Sequence, residues 1–174
     1  DDILAIPRTE ATGVVLEQRQ RNDLFREALN DVRRLDGKGY LTIPFGSSLG
    51  RLSPLTGNHK IDFMEIEMIG SNTGDNVGRV YLRQQGTGTI KPLDGSMQYF
   101  RFPEATAVIN PYFNGLRTFD SQIYRSRRFK DRPYANSHWE LVFNQKDEAE
   151  NMDVDLNSLT DLRLYIYYTD FTRL

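Results

Sequence analysis

Between Trp139 and Phe143, and again between Leu162 and Tyr168, apolar and polar side chains alternate one for one. A period of two belongs to a strand with one buried face and one wet face. The stretch joining these runs carries Asp147, Glu148, Glu150, Asn151, Asp153 and Asp155, too much charge to bury, so the pair reads as two antiparallel strands with an acidic loop between them. The same grammar extends back to residue 40. Tyr40 to Pro44 reads as a short strand ended by proline, and residues 47–60, rich in Gly, Ser, Pro and Asn, as a surface loop. Over 61–69, Met64, Ile66 and Met68 share one face while Glu65 and Glu67 share the other, a half-buried strand with a solvent-facing acidic stripe. Further runs fall at 77–83, 88–91, 97–102, 105–109 and 121–127, with turns at 70–76 and at Asp94-Gly95.

Before residue 39 the pattern differs. Residues 1–10 show no period and include Pro7, a linker or extended arm. From Leu16 to Leu35 the spacing is helical: Leu24, Phe25, Ala28, Leu29, Val32 and Leu35 form one stripe, with Arg21, Asp23, Arg26, Asn30 and Arg33 opposite. Asp36-Gly37 supplies a stop, because glycine adopts the left-handed conformation that ends a helix. This helix either packs on the sheet or joins the module to a helical element upstream. The chain therefore divides into a linker arm and amphipathic helix (1–38) and a β-sandwich domain (39–174). The fold class is all-β, an antiparallel, jelly-roll-like β-sandwich of about eight or nine strands. A βαβ architecture needs helices between strands, and the sequence offers none after Asp36. No internal repeat points to a propeller or solenoid.

Composition narrows the partners. A length of 174 residues suits one domain with a real core. Twenty-two basic and 24 acidic residues give a net charge of −2, without the basic excess of a nucleic-acid binder. The run Arg125, Arg127, Arg128, Lys130, Arg132 is the local exception. Cysteine is absent, which removes thiol catalysis, thiolate metal sites and disulfide staples together. No apolar run approaches the roughly 20 residues of a membrane helix. The chain opens on Asp1 instead of Met, as expected of a segment from a longer polypeptide.

Candidate chemistry is sparse. The two histidines, His59 and His138, stand in different contexts, and no Gly-x-Ser-x-Gly or phosphate-cradling Gly-x-x-x-x-Gly-Lys-Ser/Thr motif occurs. No catalytic residue is assigned. Glu65 and Glu67 could supply the paired carboxylates of glycoside hydrolysis, but the apolar face behind them favours a solvated stripe. In the acidic loop Asp147, Glu150, Asn151, Asp153 and Asp155 offer hard oxygens for a Ca²⁺ ion, although Ser158 and Leu164 stand where an EF-hand needs Gly and Glu. The competing reading is that Asp153 and Asp155 cap turns. Aromatic residues make up 11% of the chain. Tyr112 and Phe113 in Asn110-Pro-Tyr-Phe-Asn-Gly115 and Tyr134 in Arg132-Pro-Tyr-Ala, all in loop-like stretches, are candidates for stacking on sugars, whereas Trp139 reads as core. Tyr165 and Tyr167 on the last strand, with Arg125, Arg127 and Arg128, are candidate partner contacts, since Tyr and Arg are favoured in interfaces.

Two stretches carry a family likeness. Val32-Arg-Arg-Leu-Asp-Gly-Lys-Gly-Tyr-Leu-Thr-Ile-Pro44 followed by Ile61-Asp-Phe-Met-Glu-Ile-Glu-Met-Ile69 resembles the opening of the C-terminal β-sandwich of insecticidal Tc toxin A subunits. Asp153-Val-Asp-Leu-Asn-Ser-Leu-Thr-Asp-Leu-Arg-Leu-Tyr-Ile-Tyr-Tyr168 resembles its final strands. The resemblance implies a secreted bacterial toxin-like protein, and a domain that docks a neighbouring domain or partner subunit without catalysing a reaction. The expected function is thus a non-catalytic assembly module. The alternative is a carbohydrate-binding module, calcium-assisted or not, that recognises a glycan through loop aromatics.

Overall fold

The computed structural model describes residues 39–52, 54–116 and 121–172; the helix expected over 16–35 lies outside them. The described chain is mostly strand, in sheets that are antiparallel apart from one short pair. In chain order the strands are β1 (Tyr40–Gly46), β2 (Thr56–Gly70), β3 (Val80–Gln85), β4 (Thr87–Ile90), β5 (Gln98–Arg101), β6 (Ala105–Ile109), β7 (Tyr112–Phe113), β8 (His138–Asn144) and β9 (Leu159–Thr172). One sheet has the order β1-β8-β3-β6, a second β7-β2-β9, and β4 pairs with β5.

Alternation decides which side chains face inward. Leu41, Ile43 and Phe45 of β1 lie against Trp139, Leu141 and Phe143 of β8 in register, and all six are buried. From the other sheet, Ile61, Met64, Ile66 and Met68 of β2 join Leu162 and Leu164 of β9 and Phe113 of β7 in the same hydrophobic core. The two sheets thus enclose one core in a sandwich-like arrangement.

Two local expectations change. Pro44 does not end β1, which runs on to Gly46. Among the described residues β1 pairs only with β8, so it is an edge strand, where a residue lacking an N–H is tolerated. The strand expected over 121–127 is instead a 3₁₀ turn at Ser121–Tyr124 followed by a single antiparallel bridge from Ser126 to Met64. From there the chain stays beside β2. The amide of Ile61 donates to the carbonyl of Arg132 at 2.9 Å, and that of Asp131 to the carbonyl of Ile61 at 2.8 Å. It then reaches β4, where Thr89 N donates to Ala135 O at 2.8 Å.

Trp139 is the aromatic hub of the core. It stacks with Phe45, meets Phe129 edge-on at 5.1 Å and lies 5.9 Å from Tyr134. Its indole N–H needs an acceptor when buried, and Ser47 Oγ provides one at 3.1 Å. The same hydroxyl accepts from Ser137 N at 3.2 Å and donates to the carbonyl of Tyr134. One small side chain therefore serves three buried polar groups at the end of β1. Ser47→Ala is expected to lower stability by about 1–3 kcal/mol. Urea unfolding followed by the fluorescence of Trp139, the single tryptophan, measures it.

Candidate functional site

The outer face of the β2–β9 pair is where most of the chemistry gathers. Register places Phe63 opposite Tyr167, Glu65 opposite Tyr165 and Glu67 opposite Arg163. Opposed residues share a face, so these six form a ladder on the side away from the core. Phe63 and Tyr167 stack at 4.2 Å, and the Arg125 guanidinium lies 4.5 Å above the Phe63 ring. Arg125 Nε also donates to Glu65 Oε1 at 3.2 Å. The Tyr165 hydroxyl donates to Glu67 Oε2 at 2.7 Å, and Arg163 bridges Glu67 at 3.8 Å and Asp161 at 3.1 Å. Tyr112, opposite Glu67 in the short parallel pair, stacks on Tyr165 at 6.1 Å and meets Tyr124 edge-on at 5.7 Å. Burial, then the bond to Glu67, pushes the Tyr165 phenol above its ordinary value, so it stays a proton donor.

This overturns the reading of Glu65 and Glu67 as a solvated stripe: Glu65 is 0% and Glu67 5% exposed. A carboxylate taken out of water needs compensating charge and hydrogen bonds, and Arg125, Tyr165 and Arg163 provide them. Phe63, Tyr124, Asp161 and Arg163 are network members that the sequence reading missed. The register of β9 carried the signal, since Arg163 and Tyr165 repeat at the spacing of the two glutamates.

The sequence candidates scatter. Tyr112, Tyr165, Tyr167 and Arg125 come together in this network. Arg127 and Arg128 are exposed and outside it. Phe113 and Tyr134 are core residues, 0% and 2% exposed, and Tyr112 is 3% exposed. None of these three offers an open ring face to a sugar, which corrects the loop-aromatic expectation. Their Pro-flanked segments are pinned against sheets, as the hydrogen bonds along β2 and β4 show.

The acidic loop is occupied with holding itself in place. Glu148 and Glu150 take the two ends of the Arg79 guanidinium at 2.8 and 3.0 Å, and Glu148 also accepts from the Tyr81 hydroxyl. Asn151, fully buried, accepts from Arg79 N at 2.7 Å and donates to Arg79 O at 2.9 Å, so its amide imitates a paired strand. Asp147 accepts from Asn144, Asp153 from the amide of Asp75, and Asp155 caps the turn at Asn157 N. Gly74, at φ +62°, leaves room for this arrangement, because a Cβ there would stand 2.4 Å from Asp153 Oδ2. The calcium cradle expected of Asp147, Glu150, Asn151, Asp153 and Asp155 is not assembled. Among the described residues no group of three or more His, Cys, Asp or Glu gathers to hold a metal ion.

His59 lines a cavity of about 450 Å³ with Leu49, Leu52, Thr56, Lys91 and Met97. Its Nε2 lies 2.8 Å from Thr56 Oγ1 and 3.8 Å from Asp170 Oδ2. A hydrolytic triad needs the acid on one ring nitrogen and the nucleophile on the other. Here both approach the same atom, and among the described residues the buried Nδ1 has no hydrogen-bond partner and no carboxylate lines the cavity. Among the described residues no helix is long and apolar enough to cross a membrane. No known family model matches the chain, and no curated protein matches it.

Two expectations test this site. Arg125→Gln removes a cation from the buried Glu65 carboxylate and is expected to cost about 2 kcal/mol or more. The double variant with Glu65→Gln recovers most of that loss, read by urea midpoints. Burial holds the His59 imidazole below its ordinary value of 6.5, against a smaller opposing pull from Asp170. Below pH 6.5 the unfolded chain therefore binds a proton that the folded chain refuses, and stability falls as pH drops towards the folded value, by at most about 1.4 kcal/mol per pH unit. His59→Asn flattens that part of the stability–pH curve in parallel urea titrations.

Proposed function

We propose that this chain is a non-catalytic β-sandwich module of a larger secreted bacterial toxin-like protein, and that it docks a neighbouring domain or a partner subunit through β9. The observation that carries the reading is the exposed aromatic end of this strand. β9 is 14 residues long and pairs with β2 along its length. Soluble proteins blunt the exposed ends and edges of strands with charge, proline, bulges or a covering element. The end of β9 instead exposes Tyr167, Tyr168 and Phe171, the last at 61%. An exposed strand end flanked by aromatic side chains suits strand addition, in which backbone hydrogen bonds supply affinity and side chains supply specificity. The network beneath supports this use. With Glu65 and Glu67 neutralised by Arg125, Arg163 and Tyr165, the sheet is rigid before a partner arrives, and the ordering cost of association is small.

A jelly-roll topology belongs to the same proposal. The order β1-β8-β3-β6 is that of one jelly-roll sheet. The segment bridging Met64 at Ser126 and Thr89 at Ala135 would then link β2 to β4 and β5 as the other sheet, with β9 added outside β2. Jelly rolls serve many functions, so the toxin-like context rests on the likeness of residues 32–69 and 153–168 to Tc toxin A subunits.

Hydrogen exchange tests the docking. Amides of the exposed end of β9, from Tyr167 to Thr172, are expected to exchange readily in the isolated chain and to become protected within the parent polypeptide or on addition of a partner toxin subunit. Tyr167→Ala with Phe171→Ala is expected to weaken that association about tenfold or more. Unchanged β9 exchange in the assembled protein defeats the proposal.

A further inference from the structure

We infer that a groove at the β4–β5 hairpin is a binding site for a pyranose ring of a glycan. The groove encloses about 660 Å³ and is lined by Thr87, Gly88, Thr89, Tyr99, Phe100, Arg101 and Asn136. That volume lies within the roughly 300–1,000 Å³ of small-molecule sites. Thr89 pairs opposite Tyr99 and Thr87 opposite Arg101, so these four side chains stand on one face of the hairpin. Tyr99 is 77% exposed and Phe100 38%. A tyrosine held this far into solvent on a short hairpin contributes little to the core, and its ring face is open to stacking.

The lining fits a sugar better than an apolar ligand. A pyranose presents an apolar C–H face beside a rim of hydroxyls, and here an aromatic ring stands beside hydroxyl, amide and guanidinium groups. Arg101 offers a forked set of donors suited to vicinal hydroxyls or to a sugar carboxylate. Among the described residues no acidic side chain lines the groove to repel a sugar carboxylate.

The framework is fixed in advance. Asn136 donates from Nδ2 to Thr89 Oγ1 at 3.1 Å, and its backbone amide donates to Ser47 O at 3.0 Å. Gly88 lets the hairpin close on the chain beneath it, since a Cβ there would stand 2.6 Å from Pro133 Cγ. Ala135 is bridged to Thr89. A preformed wall of this kind lowers the ordering cost of binding. The sugar chemistry expected at Tyr112, Phe113 and Tyr134 thus stands at a different place, and β9 plays no part in it.

The experiment is an array of immobilised neutral hexose, N-acetylhexosamine, uronate and sialate glycans, probed with the full 174-residue chain. Each hit is then titrated in solution. Binding to at least one pyranose class is expected. Tyr99→Ala should reduce the affinity about tenfold or more, while Val108→Ala, at an exposed position on β6, leaves it unchanged. Arg101→Gln separates the two uses of the guanidinium. A loss confined to uronate or sialate assigns it to a carboxylate, and a loss on neutral sugars assigns it to hydroxyls. Silence across the array, or binding that survives Tyr99→Ala in a variant with unaltered thermal unfolding, overturns the inference. Neither result bears on exchange at the end of β9, so the docking proposal stands or falls separately.

Discussion

Two carboxylates buried on one strand set the terms for half of this molecule. Glu65 and Glu67 sit on the face of β2 that points away from the core, yet both are out of water. Burying an ionised group is tolerable only with close countercharge and hydrogen bonds. Arg125 approaches from the segment after β7, and Tyr165 and Arg163 from β9. The need to neutralise two charges thus ties two stretches of chain to one strand. That tie also accounts for the 3₁₀ turn at Ser121–Tyr124 and the single bridge at Ser126, where a strand over 121–127 was expected.

The second organising device is polar mimicry of backbone pairing. Asn151 answers both the N–H and the C=O of Arg79, and Ser47 gathers the indole of Trp139 with backbone groups of Tyr134 and Ser137. Buried polar groups left unmatched are costly, so each of these small side chains fixes the segment it serves. The acidic loop is held this way. Its carboxylates are already engaged with Arg79, Tyr81, Asn144 and backbone amides, with Asp155 capping a turn as the reading that competed with calcium has it.

Alternation made the strands legible. Trp139, Leu141 and Phe143 fall inward as their spacing says, and Met64, Ile66 and Met68 do the same on β2. What alternation reveals is which residues oppose one another, not whether the opposite face is wet. Glu65 and Glu67 were misread for that reason, since Arg125 and Tyr165, which engage them, lie 60 and 98 residues downstream. Tyr112 and Tyr134 follow the same logic: a proline beside a tyrosine suggests a loop, but tertiary contacts place both rings under cover. Pro44 was read as a terminator because its missing N–H breaks a ladder, a rule that relaxes on an edge. Tyr99 went unnoticed because its exposure depends on β5 having a partner on one side only.

The pairing of β2 with β9 has a consequence for how the molecule is made. These strands are joined by the most extensive ladder in the structure, running from Thr56 with Thr172 to Gly70 with Leu159. Closing so distant a contact is slow relative to local turns. During synthesis β2 emerges roughly a hundred residues ahead of its mate, with an apolar flank and two uncompensated acids. Until Arg163 and Tyr165 leave the ribosome, the nascent chain holds a sticky half-sheet, the kind of intermediate that chaperones capture.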